Sequence, residues 1–161
     1  MRPDVVLRPL DEDLLADLLN VAVADADPLE VMPPVTGPPG WTRERRDAFL
    51  SFHRSRTLAA EPVESTYAVI VGDAVAGAAR LCPLDDAGRT AEAGLWIGRS
   101  HRGGGVGGTV LRRLLALART DGYASVLVST TPGNTAILRM VAALGVDLVR
   151  EGDTVTAWIN P

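Results

Sequence analysis

The most informative stretch of the sequence is SHRGGGVGGT, residues 100–109, which lies between a strand-like segment and a helix-like segment. Five glycines occupy the six positions of 103–108. Glycine lacks a Cβ and tolerates positive φ, so successive main-chain N–H groups can converge on an anion. A helix that begins there adds its own unpaired N–H groups and the positive end of its dipole. The stretch therefore predicts a binding site for a phosphate or pyrophosphate.

The residues of this turn leave three interpretations open. A glycine-rich turn can simply connect two elements. The segment 103–108 also satisfies the dinucleotide pattern G-x-G-x-x-G, but that pattern belongs near the start of a parallel βαβ unit with an acidic residue after the second strand. Here three antiparallel strands are predicted to precede the turn, and the next strand ends in Ser129-Thr130-Thr131. The third interpretation rests on a different pattern, R-x-x-G-x-G, which begins at Arg102.

The periodicity of apolar residues predicts strand, two helices, three antiparallel strands, helix, strand, helix and a closing hairpin. The predicted strands are 5–8, 66–71, 74–82, 90–97, 125–130, 146–150 and 154–159. The predicted helices are 11–25, 42–59, 134–144 and one that begins at 106 and ends near Gly122. Five prolines within 25–41 predict a loop without regular structure. This order is typical of an α+β fold.

Composition narrows the class of protein. A chain of 161 residues fits one domain. Its net charge of -4 argues against general binding of nucleic acid, and the absence of lysine excludes a Walker A loop. No apolar run is long enough to cross a membrane, no export signal is evident, and the one cysteine, Cys82, fits a reducing compartment. We therefore expect a cytoplasmic protein with neither a nucleic-acid nor a membrane partner.

Three segments together resemble the GCN5-related N-acetyltransferase (GNAT) family. They are the R-x-x-G-x-G pattern of 102–107, the strand Glu92-Ala93-Gly94-Leu95-Trp96-Ile97-Gly98, and the block from Asn134 to Leu144-Gly145. The resemblance implies one domain over residues 1–161 with a mixed central sheet of six to seven strands and about four helices. It also implies an acetyl-CoA-dependent N-acetyltransferase that needs no metal.

The resemblance also implies where acetyl-CoA binds. The main chain of the turn would hold the pyrophosphate, the pantetheine arm would lie between the strands 92–97 and 125–130, and one N–H group there could face the thioester carbonyl. The implied coenzyme-binding residues are Trp96, Ile97, Arg102, Gly103, Gly104, Gly105, Val106, Gly107, Gly108 and Asn134.

Glu92 is the candidate general base, because an amine with a pKa near 10 must lose a proton before it attacks. It shares a strand face with Gly94 and Trp96, and the glycine is expected to leave room for substrate beside the carboxylate. A solvated carboxylate, or an ion pair of Glu92 with Arg80 or Arg89, is the alternative. The tyrosine that often acts as general acid in the family is replaced here by Val141, so no acid is assigned.

The expected acceptor is the primary amine of a small molecule. A peptide acceptor stays open, because the strand at Glu92 resembles the branch that acetylates N-termini of ribosomal proteins. A non-catalytic acyl-CoA sensor also stays open, because the usual acid is missing. The resemblance leaves a homodimer open as well, with the final hairpin as a contact edge.

Other polar residues receive structural interpretations. His53 is predicted at the edge of the core, with contact to the acceptor as the less favoured alternative. The arginines of 43–46 are expected to be surface charge at a helix start. The acidic residues within 25–30 are expected to be solvated, although they could attract a cationic acceptor.

Overall fold

The computed structural model describes residues 4–161. The strands are β1 (Val5–Pro9), β2 (Ser65–Val71), β3 (Ala74–Pro83), β4 (Thr90–Ile97), β5 (Ser125–Thr130), β6 (Val149–Glu151) and β7 (Thr154–Ile159). The helices are α1 (Glu12–Asp25), α2 (Pro28–Val31), α3 (Arg43–Arg56), α4 (Val106–Thr120) and α5 (Thr135–Ala143), with a 3-10 turn at Arg99–His101. All the predicted elements are present, although β6 is shorter than its pattern indicates.

All the strands join one seven-stranded sheet in the order β1-β2-β3-β4-β5-β7-β6. The central pair, β4 and β5, is parallel, and the other neighbouring pairs are antiparallel. The prediction of a mixed sheet of six to seven strands in an α+β fold is therefore confirmed. The parallel pair needs a crossover, and α4 supplies it.

Helices cover both faces of the sheet. The apolar stripe of α4 is buried, and with Val141 of α5 it packs on the sheet residues of one core cluster. The other cluster joins α1, α2 and Phe49 of α3 to Ala78 of the sheet, with Trp96 packed against it. The 3.6-residue spacing of apolar side chains explains why each helix turns one face inward.

The proline-rich loop contains a short helix that the sequence did not predict. Pro28 opens α2, where a missing N–H group costs no helical hydrogen bond, and the Asp27 carboxylate accepts a hydrogen bond from Leu29 N at 3.0 Å. The prediction of a loop without regular structure is therefore wrong over Pro28–Val31.

Arg45 is not surface charge. Its side chain is buried, and its guanidinium donates hydrogen bonds to main-chain carbonyls of the proline-rich loop, at 2.8 Å to Gly40 O and 2.9 Å to Val35 O, and also to Pro38 O. A proline-rich loop offers carbonyls with few N–H partners, so one planar donor with several N–H groups can hold it. The other two arginines of this helix start, Arg43 and Arg46, are exposed as expected.

None of the helices within residues 4–161 has the length and apolar character needed to cross a membrane.

Candidate functional site

The parallel strands β4 and β5 separate toward their carboxyl ends. They pair from Thr90↔Ser125 to Ala93↔Val128, and beyond this point β4 pairs only with β3 while β5 pairs only with β7. Hydrogen-bonding groups on the facing edges are thereby left without a strand partner. The sheet opens at its centre, between the two strands where the resemblance places the pantetheine arm.

Main-chain direction along β4 decides which groups face this opening. Gly98 N donates to Ala76 O of β3 at 2.8 Å, and alternate residues of a strand present their N–H and C=O groups to the same side. Trp96 therefore turns its main chain toward β3, whereas Leu95 and Ile97 turn theirs toward β5. The sequence did not single out Leu95, although the alternation of the strand could have indicated it.

The glycine turn presents a row of free main-chain donors. Within the described chain, the six consecutive N–H groups from Gly103 to Gly108 have no hydrogen-bond acceptor. Gly103 and Gly105 have φ values of +83° and +81°, which favour glycine on conformational grounds alone. Gly104 has no such constraint, and a Cβ built on it would meet no atom within 4 Å. The backbone conformation therefore does not require glycine at position 104, and the missing side chain leaves the surface of the turn open.

Two acidic residues anchor the start of this turn. Asp25 at the end of α1 accepts hydrogen bonds from Ser100 Oγ at 2.6 Å and from Ser100 N at 3.1 Å, and the bond from the Ser100 hydroxyl lowers the pKa of Asp25. Arg102 donates from Nε to Ile97 O at 2.8 Å and from Nη2 to Glu30 of α2 at 2.5 Å. Because the Arg102 side chain is held in this way, it positions the turn. The acidic residues are thus structural partners, whereas the sequence indicated a solvated loop.

Helix α5 lies against the opposite side of the turn. A Cβ on Gly107 would lie 3.4 Å from Met140 Cε, so α5 packs closely on the first turn of α4. Asn134 caps α5, with its Oδ1 accepting from Ile137 N at 3.3 Å, and its amide N–H groups have no acceptor among residues 4–161. Val141 is 1% exposed and belongs to the core, so this position offers no acid.

Glu92 lies on the sheet face that α1 and α3 cover, a third exposed, with its Oε1 3.5 Å from Arg80 Nη2. Arg80 also reaches the fully buried Glu64 carboxylate at 3.1 Å, and Arg56 binds Glu64 as well. A Cβ on Gly94 would lie 3.1 Å from Arg80 Nε. The Arg80 guanidinium therefore takes part of the space beside Gly94, but Gly94 still lines a cavity on this face, so the expectation that it leaves room for substrate stays a prediction.

A cavity of about 290 Å³ opens on this same sheet face. Its walls are the proline-rich segment with α2, one side of α3, and the centres of β3 and β4. The lining residues are Leu29, Glu30, Val31, Met32, Pro33, Phe52, His53, Thr66, Ala78, Ala79, Arg80, Gly94, Leu95 and Trp96. Most of them are apolar. The cavity thus shares β4 with the opening between β4 and β5.

His53 lies deeper than the sequence indicates. It is only 3% exposed, and burial lowers its pKa to about 4. The structure therefore places His53 within the core rather than at its edge, and the ring also lines the cavity. The alternative, contact of His53 with the acceptor, stays a prediction. Helical spacing alone does not distinguish a core edge from a pocket lining.

A sequence model of the acetyltransferase (GNAT) domain matches residues 4–147. The chain belongs to the GNAT acetyltransferase family. The prediction of an acyltransferase that uses acetyl-CoA is thereby confirmed at the level of the family. A search of curated protein sequences finds no match.

Solved GNAT structures share this fold at low sequence identity. The GNAT domain of PAT from S. lividans matches with a TM-score of 0.73 and 18% identity, over 99% of this chain and 97% of that one. The spermidine/spermine N-acetyltransferase SpeG from Vibrio cholerae matches with a TM-score of 0.70 and 16% identity, over 97% and 93%. The protein yncA from Salmonella typhimurium, solved with acetyl-CoA, matches with a TM-score of 0.68 and 20% identity, over 97% and 93%.

Proposed function

We propose that this GNAT protein transfers the acetyl group of acetyl-CoA to the primary amine of a small molecule. The observation that carries the proposal is the row of six unpaired N–H groups at 103–108, next to the point where β4 and β5 separate. Either feature alone has a structural explanation. Together they offer one continuous path for a pyrophosphate and the amide-bearing arm attached to it.

Donor binding would rest mainly on main-chain groups. The N–H groups of 103–108 and the start of α4 favour a pyrophosphate. In the opening, Leu95 can both donate to and accept from pantetheine amides, whereas Ile97 can only donate, since its carbonyl is engaged by Arg102. Asn134 would contribute its free amide N–H groups from the other wall. Trp96 would contribute its side chain to the acceptor cavity, since its main chain faces β3.

The chemistry that acetyl-CoA supplies is a thioester whose C–S bond breaks as the C–N bond to the amine forms. Glu92 would take the proton of the incoming ammonium through a water molecule, which leaves the amine nitrogen its lone pair. An N–H group of Leu95 or Ile97 would stabilise the negative charge that develops on the carbonyl oxygen. The nitrogen would release its second proton to solvent once the C–N bond has formed. The thiolate is a good enough leaving group to depart without an acid and to take a proton from solvent afterwards, which suits a site with Val141 in place of an acid.

The acceptor cavity supports a small molecule over a peptide. Its volume of about 290 Å³ lies at the small end of typical ligand sites, and α2 and the proline-rich segment form one wall of it. SpeG acts on spermidine and spermine, which are small amines, so the fold accommodates acceptors of this size.

The test combines coenzyme binding with turnover. CoA is titrated into the protein in a calorimeter, and release of free thiol from acetyl-CoA is then measured with a panel of small amines and N-terminal peptides. Heat of binding together with turnover of a small amine supports the proposal. Tight binding of CoA without turnover of any acceptor favours the non-catalytic sensor. This alternative stays open because the buried Val141 stands where the family often has its general acid. No detectable heat with CoA refutes the assignment of the donor site.

A further inference from the structure

One polar side chain in the wall of the acceptor cavity lacks any partner. His53 lines the cavity, and both of its ring nitrogens are buried without a hydrogen-bond partner in the described part of the chain. Burying a polar group without a partner costs free energy, so a histidine held in this way needs an explanation. His53 borders the cavity through atoms other than its ring nitrogens, which have almost no accessible surface. A 180° flip of the imidazole exchanges its nitrogen and carbon positions and would bring a nitrogen to the cavity, which is the feature next to it that could admit a partner.

The packing around His53 explains why no neighbouring side chain satisfies it. Phe49 and Phe52 contact the ring edge to face, with centroid distances of 4.7 and 5.2 Å. The charged groups that act on His53 are Glu64 and Arg80, and these are committed to each other at 3.1 Å. Burial dominates and keeps the imidazole neutral at physiological pH. A neutral imidazole presents one donor and one acceptor.

The other charges at the cavity cancel in pairs. Glu30 is paired with Arg102, and the two carboxylates of Glu64 and Glu92 are matched by Arg56 and Arg80. Among the described residues that line the cavity, no carboxylate is left over for a second ammonium group. The cavity therefore favours an acceptor with a single amine and an otherwise uncharged body.

We infer that His53 determines acceptor specificity by hydrogen bonding to a hydroxyl group of the acceptor, a primary amine on an apolar body. A hydroxyl both donates and accepts, so it pairs with either tautomer of the ring. Leu29, Phe52 and Trp96 provide the apolar walls for the rest of the molecule. This inference rests on the proposed function and adds the class of substrate.

The test uses two pairs of amines that differ by one hydroxyl, tyramine with phenethylamine and aminopentanol with pentylamine. For the wild type we expect kcat/KM to be about tenfold or more higher for the hydroxylated member of at least one pair, since a lost hydrogen bond in a buried site costs about that much. His53→Phe should bring the two members of that pair to equal kcat/KM. His53→Gln, which keeps a donor and an acceptor, should restore part of the preference.

Phe52→Leu is the matched control, because it alters the same wall without a polar atom. It should change kcat/KM for both members of a pair by the same factor. A preference for the hydroxylated amine that survives in His53→Phe overturns the inference. Equal kcat/KM for the two members of each pair in the wild type also overturns it. If no amine is acetylated, the proposed function fails. Calorimetry in the presence of CoA then tests His53 separately. The wild type should bind tyramine more tightly than phenethylamine, and His53→Phe should bind the two with equal affinity.

Discussion

Arg80 and Glu92 face each other across neighbouring strands, with 3.5 Å between Arg80 Nη2 and Glu92 Oε1. The register places Arg80 opposite Gly94, so its guanidinium lies over the glycine and reaches the carboxylate along the strand. Glu92 is therefore neither isolated in solvent nor fully committed, because Arg80 also serves the buried Glu64. A carboxylate oriented in this way can still accept a proton through water.

Glu92→Gln tests the base directly. We expect kcat to fall about 100-fold, the lower end of general-base effects, while the Kd for CoA stays unchanged because Glu92 does not touch the proposed coenzyme path. Steady-state kinetics with any active amine provide the measurement. Glu61→Gln makes the same chemical change on an exposed loop and should leave kcat unchanged. Equal kcat values in Glu92→Gln and the wild type would remove Glu92 as base.

The glycine turn allows binding to be separated from stability. Gly104→Ala should not lower the free energy of unfolding, because the φ of Gly104 lies outside the left-handed region and its Cβ would enter open space. We nevertheless expect the Kd for CoA to rise about tenfold, because the methyl group would lie where the pyrophosphate approaches the main chain. Calorimetric titration measures the Kd, and chemical denaturation measures the stability.

Two further glycine variants complete that experiment. Gly103→Ala should raise the Kd and also cost about 1 kcal/mol of stability, since its φ is +83°. Gly88→Ala carries the same kind of strain, at φ +67° in the turn before β4, and should lower stability without changing the Kd. A Kd for CoA that is unaffected in both Gly103→Ala and Gly104→Ala would contradict the donor site.

His53 should make stability depend on pH. Its folded pKa is about 4 against an ordinary value of 6.5, so between these two pH values the unfolded chain binds a proton that the folded chain does not. The free energy of unfolding should therefore fall as the pH is lowered from 6.5 to 4, by up to about 3 kcal/mol. The lowered pKa values of Asp25 and Asp85 affect stability only near and below 3.8, in a separate range. Urea denaturation between pH 6.5 and 4 measures this dependence. The free energy of unfolding should change less with pH in His53→Phe than in the wild type, and the same dependence in both would refute the lowered pKa of His53.

Arg45 should stabilise the proline-rich loop beside the acceptor cavity. Arg45→Leu removes the donor shared by several loop carbonyls, and we expect the free energy of unfolding to fall by about 1 to 3 kcal/mol. The KM for the acceptor should also rise several-fold, because Met32 and Pro33 line the cavity. Arg46→Leu, one position along on the exposed side of α3, should leave both quantities unchanged. Equal losses of stability in Arg45→Leu and Arg46→Leu would show that the hydrogen bonds from Arg45 to the loop carbonyls have no special role.

Sequence reasoning anticipated the local geometry of the glycine turn and of the helix start at Asn134. Glycines at 103–108 and the cap at Asn134 act through local main-chain geometry, which residue type and spacing specify. It failed for Arg45, and it did not anticipate the Arg80 guanidinium over Gly94 or the full burial of His53, because each depends on a partner distant in the chain or on the depth of burial. Periodicity gives the face of a helix or strand, but it does not say what packs against that face.

The amino-acid sequence by itself determined the order of the elements, the glycine turn that opens α4, and the family of the chain, since these follow from local propensity and short motifs. Only the tertiary structure decided that Arg80 lies between Glu64 and Glu92, that Leu95 rather than Trp96 faces the opening, and that His53 lies in the cavity wall. The reason is physical. Strand register and the docking of helices depend on the burial of the whole apolar surface at once, and no single segment encodes that sum.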